Sequence, residues 1–172
     1  LTHSEENYLK VIYHLSITED EGISTNAIAQ KIDTKASSVT DMIKKLKDKK
    51  LITHEKYKGV FITALGLQNA KMIIRKHRLW EVFLVDKLNF NWDEVHDVAE
   101  ELEHIKSEKL INALDAFLGY PKEDPHGDPI PNAQGEIPYR EKELLTETDE
   151  NSEYMCVGVK DTSAAFLQYL DR

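Results

Sequence analysis

The chain has 172 residues, enough for one ordinary domain or two small ones, and its net charge is -9. Such acidity argues against indiscriminate binding to nucleic acid. The single cysteine, Cys156, excludes an internal disulfide and any zinc or iron–sulfur site built from several cysteines, a composition typical of the cytoplasm. Because no apolar run approaches the roughly 20 residues of a membrane span, we expect a soluble cytoplasmic protein with no membrane partner.

Three helices are predicted in the first 50 residues. The first begins at Ser4 and ends before Gly22, and the second begins after Thr25 and ends near Asp33. The third extends from about residue 36 to residue 50. Its apolar residues recur at helical spacing and form a buried face of Val39, Met42, Ile43 and Leu46. Two short helices joined by a tight polar turn are typical of a helix-turn-helix.

Two short β-prone runs, residues 51–57 and 60–63, follow the third helix and are joined by a turn at Gly59, which indicates a hairpin. A helix-turn-helix followed by a hairpin forms a winged module. We therefore expect a winged helix-turn-helix DNA-binding domain over residues 1–63.

The predicted DNA contacts lie on the third helix and the hairpin. Between Lys35 and Lys58 there are eight lysines against three acidic residues, so this region is basic within an acidic chain. Polar residues at the N-terminal end of such a helix meet base edges, and hairpin residues meet phosphates or a groove. The candidates are Ser37, Ser38, Thr40, Asp41 and Lys44 for bases, Lys45, Lys49, Lys56 and Lys58 for phosphates, and Tyr57 for a groove. The alternative is a solvated face that contacts nothing.

Ionisable residues recur at helical spacing in the second half of the chain. A helix is predicted from residue 64 to about residue 85, with His77 and Glu81 one turn apart on it. Another helix is predicted from residue 92 through Phe117. On it, a stripe of possible metal ligands adjoins an apolar stripe. The ligand stripe is His96, Glu100, Glu103 and His104, and the apolar stripe is Val95, Val98, Ala99 and Leu102.

Carboxylates held beside a buried surface lose hydration and repel one another, unless they are protonated or meet a cation. The ligand stripe therefore favours a divalent metal site, although a solvated acidic helix face is the more ordinary interpretation of such a segment. The two adjacent helices carry more apolar surface than a small winged domain can cover. We therefore also expect a dimer interface there, in addition to an intramolecular core.

Residues 121–138 are rich in proline and are not expected to be helical throughout. This loop presents Asp124 and His126 as further candidate ligands, although loops with such residues are common. Beyond the loop we expect a polar, acidic stretch, then a strand at 155–159 and a short helix at 163–170.

Five motifs of the chain resemble the diphtheria toxin repressor and manganese transport regulator family of metal-dependent transcriptional repressors, from Glu6 to about Asp171. They are Glu6-Asn-Tyr-Leu-Lys-Val-Ile-Tyr13, Ser38-Val-Thr40, Lys76-His-Arg-Leu-Trp-Glu81, His96-Asp-Val-Ala-Glu-Glu-Leu-Glu-His104 and Pro125-His-Gly-Asp-Pro-Ile-Pro131. The resemblance implies a homodimer that is activated by Mn(II) or Fe(II), binds double-stranded operator DNA and represses metal-uptake genes.

The resemblance also implies two metal sites and a domain plan. One site would use Glu100, Glu103 and His104 with a group of the first helix at Asn7, and the other would use His77, Glu81 and His96, completed by Asp124, His126 or Asp161. A metal-binding and dimerisation domain would cover residues 64–138. Residues 139–172 would be a C-terminal extension leading to the position of an SH3-like domain that some members carry.

The sequence departs from the family pattern at three positions that bear on the metal. Asn7 stands where the family usually has Asp or Met, so the ligand from the first helix would be a carbonyl oxygen, be absent or be supplied by Glu6. Lys10 replaces the Glu of the small manganese regulators. Glu100 stands where the iron-responsive branch has Cys, which removes a soft ligand and favours Mn(II), with Fe(II) next. Zn(II) or other divalent ions would substitute in vitro.

We therefore expect a mainly α protein in which a winged helix-turn-helix precedes a helical metal-binding and dimerisation domain, and which acts as a metal-dependent repressor and not as an enzyme. One alternative is a winged-helix regulator that responds to no metal. The other is a metal-dependent hydrolase, since Glu101 and His104 form an E-x-x-H spacing. The chain has no H-E-x-x-H motif and no glycine-rich phosphate loop, and a hydrolase has no evident use for a winged module.

Overall fold

The computed structural model describes residues 1–19, 21–138, 142–159, 163, 165, 166 and 169. The chain divides into two compact units, Leu1–Ile74 and Arg75–Arg172. The boundary falls inside a long helix, whereas the sequence placed it at the start of that helix. The division at residues 63 and 64 stays a prediction.

The first unit is the expected winged module. Its elements are α1 (His3–Ser16), α2 (Thr25–Ile32), α3 (Ala36–Asp48), β1 (Ile52–Glu55), β2 (Gly59–Ile62) and the first part of α4 (Ala64–Leu88). A capping box between Thr2 and Glu5 begins α1, and the Ser24 side chain accepts the Ala27 N–H at the start of α2. Asp33, in the left-handed conformation at φ 55°, ends α2 and makes the turn into α3.

The wing is an antiparallel hairpin in which Ile52 pairs with Ile62 and Glu55 pairs with Gly59. Ile23, just before α2, adds a bridge to Val60, with backbone hydrogen bonds of 2.9 Å in both directions. Gly59 has φ +105°, and a side chain there would collide with the Ile23 carbonyl, so the turn requires glycine. The bridge fixes the wing to the helix-turn-helix.

The core of the first unit is apolar. Its most deeply buried side chains come from every element that precedes α4, and each contributes roughly 1.5–3 kcal/mol through burial. They are Leu9 and Ile12 of α1, Ile28 of α2, Val39 and Leu46 of α3, Ile52 of β1 and Val60 of β2. This packing positions α3 with its polar face outward.

The second unit contains the rest of α4, then α5 (Val95–Leu102), α6 (Glu108–Phe117), a long proline-rich loop and a 3-10 helix at Leu145–Glu147. Its core consists of Leu79, Trp80, Val82, Leu84, Val95, Ala99, Ile111, Leu114 and Ile130. The buried guanidinium of Arg75 contacts Asp115 at 2.7 Å and ties α4 to α6. The mainly helical fold expected from the sequence is confirmed.

Two details of the second unit differ from the sequence prediction. The helix predicted from residue 92 through Phe117 is two helices, because the chain turns after Leu102 and Ser107 caps a new helix by accepting the Leu110 N–H. The strand predicted at 155–159 was wrong. Among the described residues, this segment makes one backbone–backbone hydrogen bond, from Val159 N to His126 O at 3.2 Å, and no strand ladder. The predicted helix at 163–170 falls largely outside the described residues.

Candidate metal centre and nucleic-acid interface

Glu81 lies among ionisable side chains contributed by two helices of the second unit. His77 precedes it by one turn of α4, and His96 comes from α5. His77 Nε2 lies 3.0 Å from Glu81 Oε1 and 3.1 Å from His96 Nδ1, which is itself 3.4 Å from Glu81 Oε1. One ligand atom from each residue lies within 4.8 Å of the other two. His77 and Glu81 are buried, whereas the His96 side chain is 58% exposed.

The proline-rich loop brings two further side chains to Glu81. Asp124 Oδ1 accepts the backbone N–H groups of His126 and Asp128, each at 2.9 Å, and these bonds close a tight turn. The turn places Asp124 and His126 in a second group with Glu81, again with one ligand atom from each within 4.8 Å of the others. All three residues of this second group are buried.

Two of the three imidazoles have a hydrogen-bond acceptor at the ring nitrogen that lies away from Glu81. His77 Nδ1 lies 2.7 Å from Glu103 Oε2, and His126 Nε2 lies 3.3 Å from the Trp92 carbonyl oxygen. His96 Nε2 lies 3.7 Å from Glu100 Oε1, beyond hydrogen-bond distance. An acceptor keeps the proton on the nitrogen that it faces. The nitrogen nearer Glu81 is therefore the one that can exchange its proton for a metal ion, as in known metal sites.

The two buried carboxylates of the cluster are perturbed in opposite directions. Burial acts to raise the pKa of Glu81, but hydrogen bonds from His77 and His96 outweigh it and lower the pKa to about 2. Burial, together with the neighbouring charge of Glu81, raises the pKa of Asp124 to about 6. Deprotonation of Asp124 beside the Glu81 carboxylate is therefore unfavourable, and a cation between the two carboxylates would offset their repulsion.

The donor set fits a divalent metal ion. It offers carboxylate oxygens and imidazole nitrogens, which suit Mn(II), Fe(II) and Zn(II), and no sulfur, since Cys156 is free and exposed. Arg78, which the sequence analysis did not single out, reaches Asp124 Oδ2 at 3.4 Å and Asp128 Oδ2 at 3.3 Å. It belongs to the motif that ends at Glu81, and it orients the loop that carries the second group.

The other proposed ligands are placed differently. Glu103 is fully buried and contacts His77, a pairing that spacing along one helix did not predict. Glu100 and His104 are half-buried, and they do not form with Glu103 a group within 4.8 Å like the two around Glu81. In the described part of the chain, the buried Oδ1 of Asn7 on α1 has no hydrogen-bond partner. Such an oxygen suits a cation. Asp161 lies outside the described residues.

The predicted DNA-contacting residues of α3 and the wing all lie on the surface. The exposed side chains include those of Ser37, Ser38, Thr40, Asp41, Lys44, Lys45, Lys56, Tyr57 and Lys58. Tyr57 is 93% exposed at the tip of the wing, with the Lys56 ammonium 4.9 Å from its ring centre. Lys49 also carries an internal contact, since its Nζ donates to Glu5 Oε2 at 2.7 Å and links the end of α3 to α1.

Both the DNA-binding region and the metal-binding region match known protein families. Residues 1–60 match the family model described as the iron-dependent repressor N-terminal DNA-binding domain, and residues 63–132 match the iron-dependent repressor metal-binding and dimerisation domain. The HTH-type transcriptional regulator MntR of Oceanobacillus iheyensis is 33% identical over 124 residues, which cover 72% of this chain and 82% of that protein. The chain belongs to the iron-dependent repressor family.

This repressor is also similar to longer proteins. The diphtheria toxin repressor of Corynebacterium jeikeium is 33% identical over 133 residues, 76% of this chain, but the chain spans only 54% of that relative. A solved structure described as a manganese-dependent transcriptional repressor in complex with manganese matches with a TM-score of 0.84 and 37% identity, over 97% of this chain and 77% of the other. The structure of the manganese regulator SloR matches with a TM-score of 0.77 and 40% identity, over the same shares.

The family is one of metal-dependent, DNA-binding transcriptional repressors and not of enzymes. Its DNA-binding and dimerisation domains indicate DNA and a second copy of the chain as partners. Among the described residues, no helix of this repressor combines the length and the apolar character that crossing a membrane requires.

Proposed function

We propose that this chain is a homodimeric cytoplasmic repressor that binds operator DNA when Mn(II) is bound and so controls genes for metal uptake, with Fe(II) as the next most suitable ion. One observation carries the proposal. The buried oxygen and nitrogen donors that converge on Glu81 occur in a chain whose other unit exposes a polar recognition helix and a basic wing.

The residues of the second unit divide into two proposed sets of ligands. One set is His77, Glu81, His96, Asp124 and His126, with Asp161 as a further candidate, and the other is Glu100, Glu103 and His104, with Asn7 from α1. A bound divalent ion supplies positive charge to carboxylates that otherwise repel one another. An amide oxygen is an acceptable ligand for a hard cation, which is the role that the resemblance implies for Asn7.

The choice of Mn(II) rests on ligand chemistry. A site of carboxylate oxygens and imidazoles without thiolate suits Mn(II). Sites with softer ligands select copper or zinc instead. Two of the similar solved structures are described as manganese-dependent or as manganese regulators, which supports the same choice. Fe(II) has closely similar preferences and remains the second candidate.

The first unit supplies the proposed DNA contacts. The exposed N-terminal residues of α3, among them Ser37 and Thr40, would read base edges, while Lys45, Lys56 and Lys58 would contact phosphates. In a homodimer, two such helices engage half-sites about one helical turn apart or a multiple of it.

The test is operator affinity with and without metal. A duplex is first selected from a random-sequence pool in the presence of Mn(II), and its affinity is then measured by fluorescence anisotropy at fixed salt in chelator and in excess Mn(II). We expect Mn(II) to raise the affinity by about 5- to 150-fold, the usual range of coupling between two sites. Equal affinities in the two conditions would favour a winged-helix regulator that responds to no metal.

A further inference from the structure

The tail segment, residues 142–159, packs against the ligand turn, residues 123–129, which carries the two candidate ligands of the proline-rich loop. Lys142 Nζ donates to the Gly127 carbonyl oxygen and lies 3.2 Å from Glu123 Oε1. The Lys142 side chain is only 32% exposed, although lysine usually extends into solvent. A positive charge of the tail segment is therefore in direct contact with the turn.

The backbones of the two segments also meet closely, at two glycines. Gly127 has φ +85°, and a β-carbon there would collide with the Val157 carbonyl oxygen. A β-carbon on Gly158 would lie 3.0 Å from the His126 carbonyl oxygen, which accepts the Val159 N–H at 3.2 Å. The contact therefore requires glycine at position 127 and a small residue at position 158.

The ligand turn is also held by α4. Arg78 lies 3.4 Å from Asp124 Oδ2 and 3.3 Å from Asp128 Oδ2, and it donates to the Pro129 carbonyl oxygen. Two cations from distant parts of the chain thus bind the same turn, one from α4 and one from the tail segment. Each of them contacts a carboxylate and a backbone carbonyl, and such charge-assisted contacts fix the turn more strongly than neutral hydrogen bonds do.

The two cations hold different parts of the turn. Arg78 contacts Asp124, whereas the tail segment holds the backbone of His126 and of the glycine after it. The His126 ring is held separately, since its Nε2 lies 3.3 Å from the Trp92 carbonyl oxygen. Its Nδ1 lies 3.9 Å from Glu81 Oε2. The position of His126 relative to Glu81 therefore depends on the tail segment.

We propose that Lys142 is a positioning residue, and that the tail segment holds the ligand turn in the conformation in which His126 faces Glu81. The inference rests on the proposed function in one respect, namely that the turn binds metal. It adds that part of the affinity for metal comes from residues 142–159, which contain no proposed ligand. A turn that is already in place loses less conformational freedom when it binds an ion.

The experiment compares Lys142→Met with Lys142→Arg, which keeps a cation, and with Lys122→Met, a matched lysine exposed in the proline-rich loop. Equilibrium dialysis measures the Mn(II) affinity of the full chain. Amide hydrogen exchange in chelator, read by mass spectrometry, compares residues 123–129 with the rest of the second unit. Because the exchange measurement needs no metal, it tests the contact independently of the proposed function.

Two further variants locate the effect. Gly158→Ala disturbs the backbone contact without changing a charge. Lys142→Met in a His126→Ala background shows whether Lys142 acts through that imidazole, because two changes that act through one group are not additive. Thermal melts in chelator check that each variant folds.

We expect Lys142→Met to raise exchange within residues 123–129 alone and to lower the Mn(II) affinity by about 10- to 100-fold, the usual effect of removing a partner that orients a ligand. Gly158→Ala should act in the same direction but less strongly. Lys142→Arg should largely restore both measurements, and Lys122→Met should change neither. In the His126→Ala background, Lys142→Met should cause no further loss of affinity.

An Mn(II) affinity of Lys142→Met equal to that of Lys122→Met would overturn the proposal, whatever the exchange shows. A rise in exchange throughout the second unit would overturn it as well, because it would mark a general loss of stability. In both cases a metal-dependent operator affinity would leave the proposed function standing. No Mn(II) uptake by the unmodified chain would overturn both.

Discussion

The two compact units differ in the number of charged side chains that they bury. Among the described residues of the first unit, the buried charged residues are Glu5 and Glu6 of α1, and the ionisable residues of α3 and the wing are exposed. In the second unit the apolar core adjoins a set of buried charged residues, namely Arg75, His77, Glu81, Glu103, Asp124 and His126. Burying an ionisable group without a partner is costly, so a fold retains such a set only where its members are paired or bind an ion.

The difference indicates where each part of the function resides. An exposed, basic surface on a rigid scaffold suits DNA, because affinity for DNA comes from many contacts with its phosphates. A buried cluster of imidazoles and carboxylates suits a small ion that replaces lost hydration by direct bonds. Four sets of variants test this division, and they are given in order of decreasing expected effect.

The largest effect is expected from Glu81→Gln, because Glu81 belongs to both groups of candidate ligands, one with His77 and His96 and one with Asp124 and His126. The variant should lose the rise in melting temperature that Mn(II) gives the unmodified chain, a stabilisation of about 2.7 kcal/mol at a metal concentration 100 times the dissociation constant. Its operator affinity in Mn(II) should fall to the metal-free level. Glu101→Gln, at an exposed position of α5, is the control. A full metal response in Glu81→Gln would mean that the buried cluster is only structural.

A smaller loss is expected from Glu103→Gln. Glu103 accepts from His77 Nδ1 at 2.7 Å and is also a proposed ligand of the second set, so its removal should lower Mn(II) affinity by about 10- to 100-fold. Equilibrium dialysis against Mn(II) measures the change, again with Glu101→Gln as the control. Unchanged Mn(II) affinity would show that Glu103 neither orients His77 for the metal nor binds the metal itself.

The wing should respond in a different way from the metal centre. Lys56→Ala and Lys58→Ala should each weaken binding to specific and random duplexes alike and reduce the slope of log affinity against log salt by roughly 0.9 per lost phosphate contact. Mn(II) uptake should not change. Lys109→Ala, exposed on α6, serves as the control. A loss confined to the selected operator would instead assign these lysines to base recognition.

The smallest effect concerns the link between α1 and α3. A hydrogen bond from Lys49, followed by one from the Thr2 backbone, holds the pKa of Glu5 below its usual range. Since the folded pKa is lowered, the pair stabilises the fold at neutral pH, and this contribution is lost as the pH falls through the lowered pKa. Because the Lys49 side chain is 45% exposed, the contribution is about 0.2–1 kcal/mol.

Lys49→Met should therefore unfold slightly more easily than the unmodified chain at neutral pH, and the two should converge in acid. Urea titrations across this pH range measure the free energy of unfolding, with Lys47→Met, at an exposed position of the same helix, as the control. A constant difference between Lys49→Met and the unmodified chain at all pH values would exclude the ion pair as its source.

Sequence reasoning was strongest where the determinants are local. The helix start near Thr25, the hairpin turn at Gly59 and the apolar spacing of α3 were each predicted from residues within or next to the element concerned. The break between α5 and α6 had a local signal as well, since Ser107 precedes Glu108 as a helix cap does. The continuous apolar pattern across residues 92–117 outweighed that signal in the prediction.

Pairings between distant parts of the chain could not be predicted in the same way. Spacing placed Glu103 on one stripe with His96, yet the fold turns after Leu102 and Glu103 contacts His77 on another helix. The approach of the 121–138 loop to Glu81 depends on a turn formed by the Asp124 side chain and on Arg78. Such contacts arise from tertiary packing, which residue spacing does not encode.

The central claim is that metal binding in one unit is linked to DNA binding in the other. Linkage is reciprocal, so the operator must change the affinity for Mn(II) by the same factor by which Mn(II) changes the affinity for the operator. The direct measurement is a Mn(II) binding isotherm of the full chain with and without saturating operator duplex at fixed salt. We predict tighter Mn(II) binding in the presence of operator, by about 5- to 150-fold. Superimposable isotherms would contradict the account.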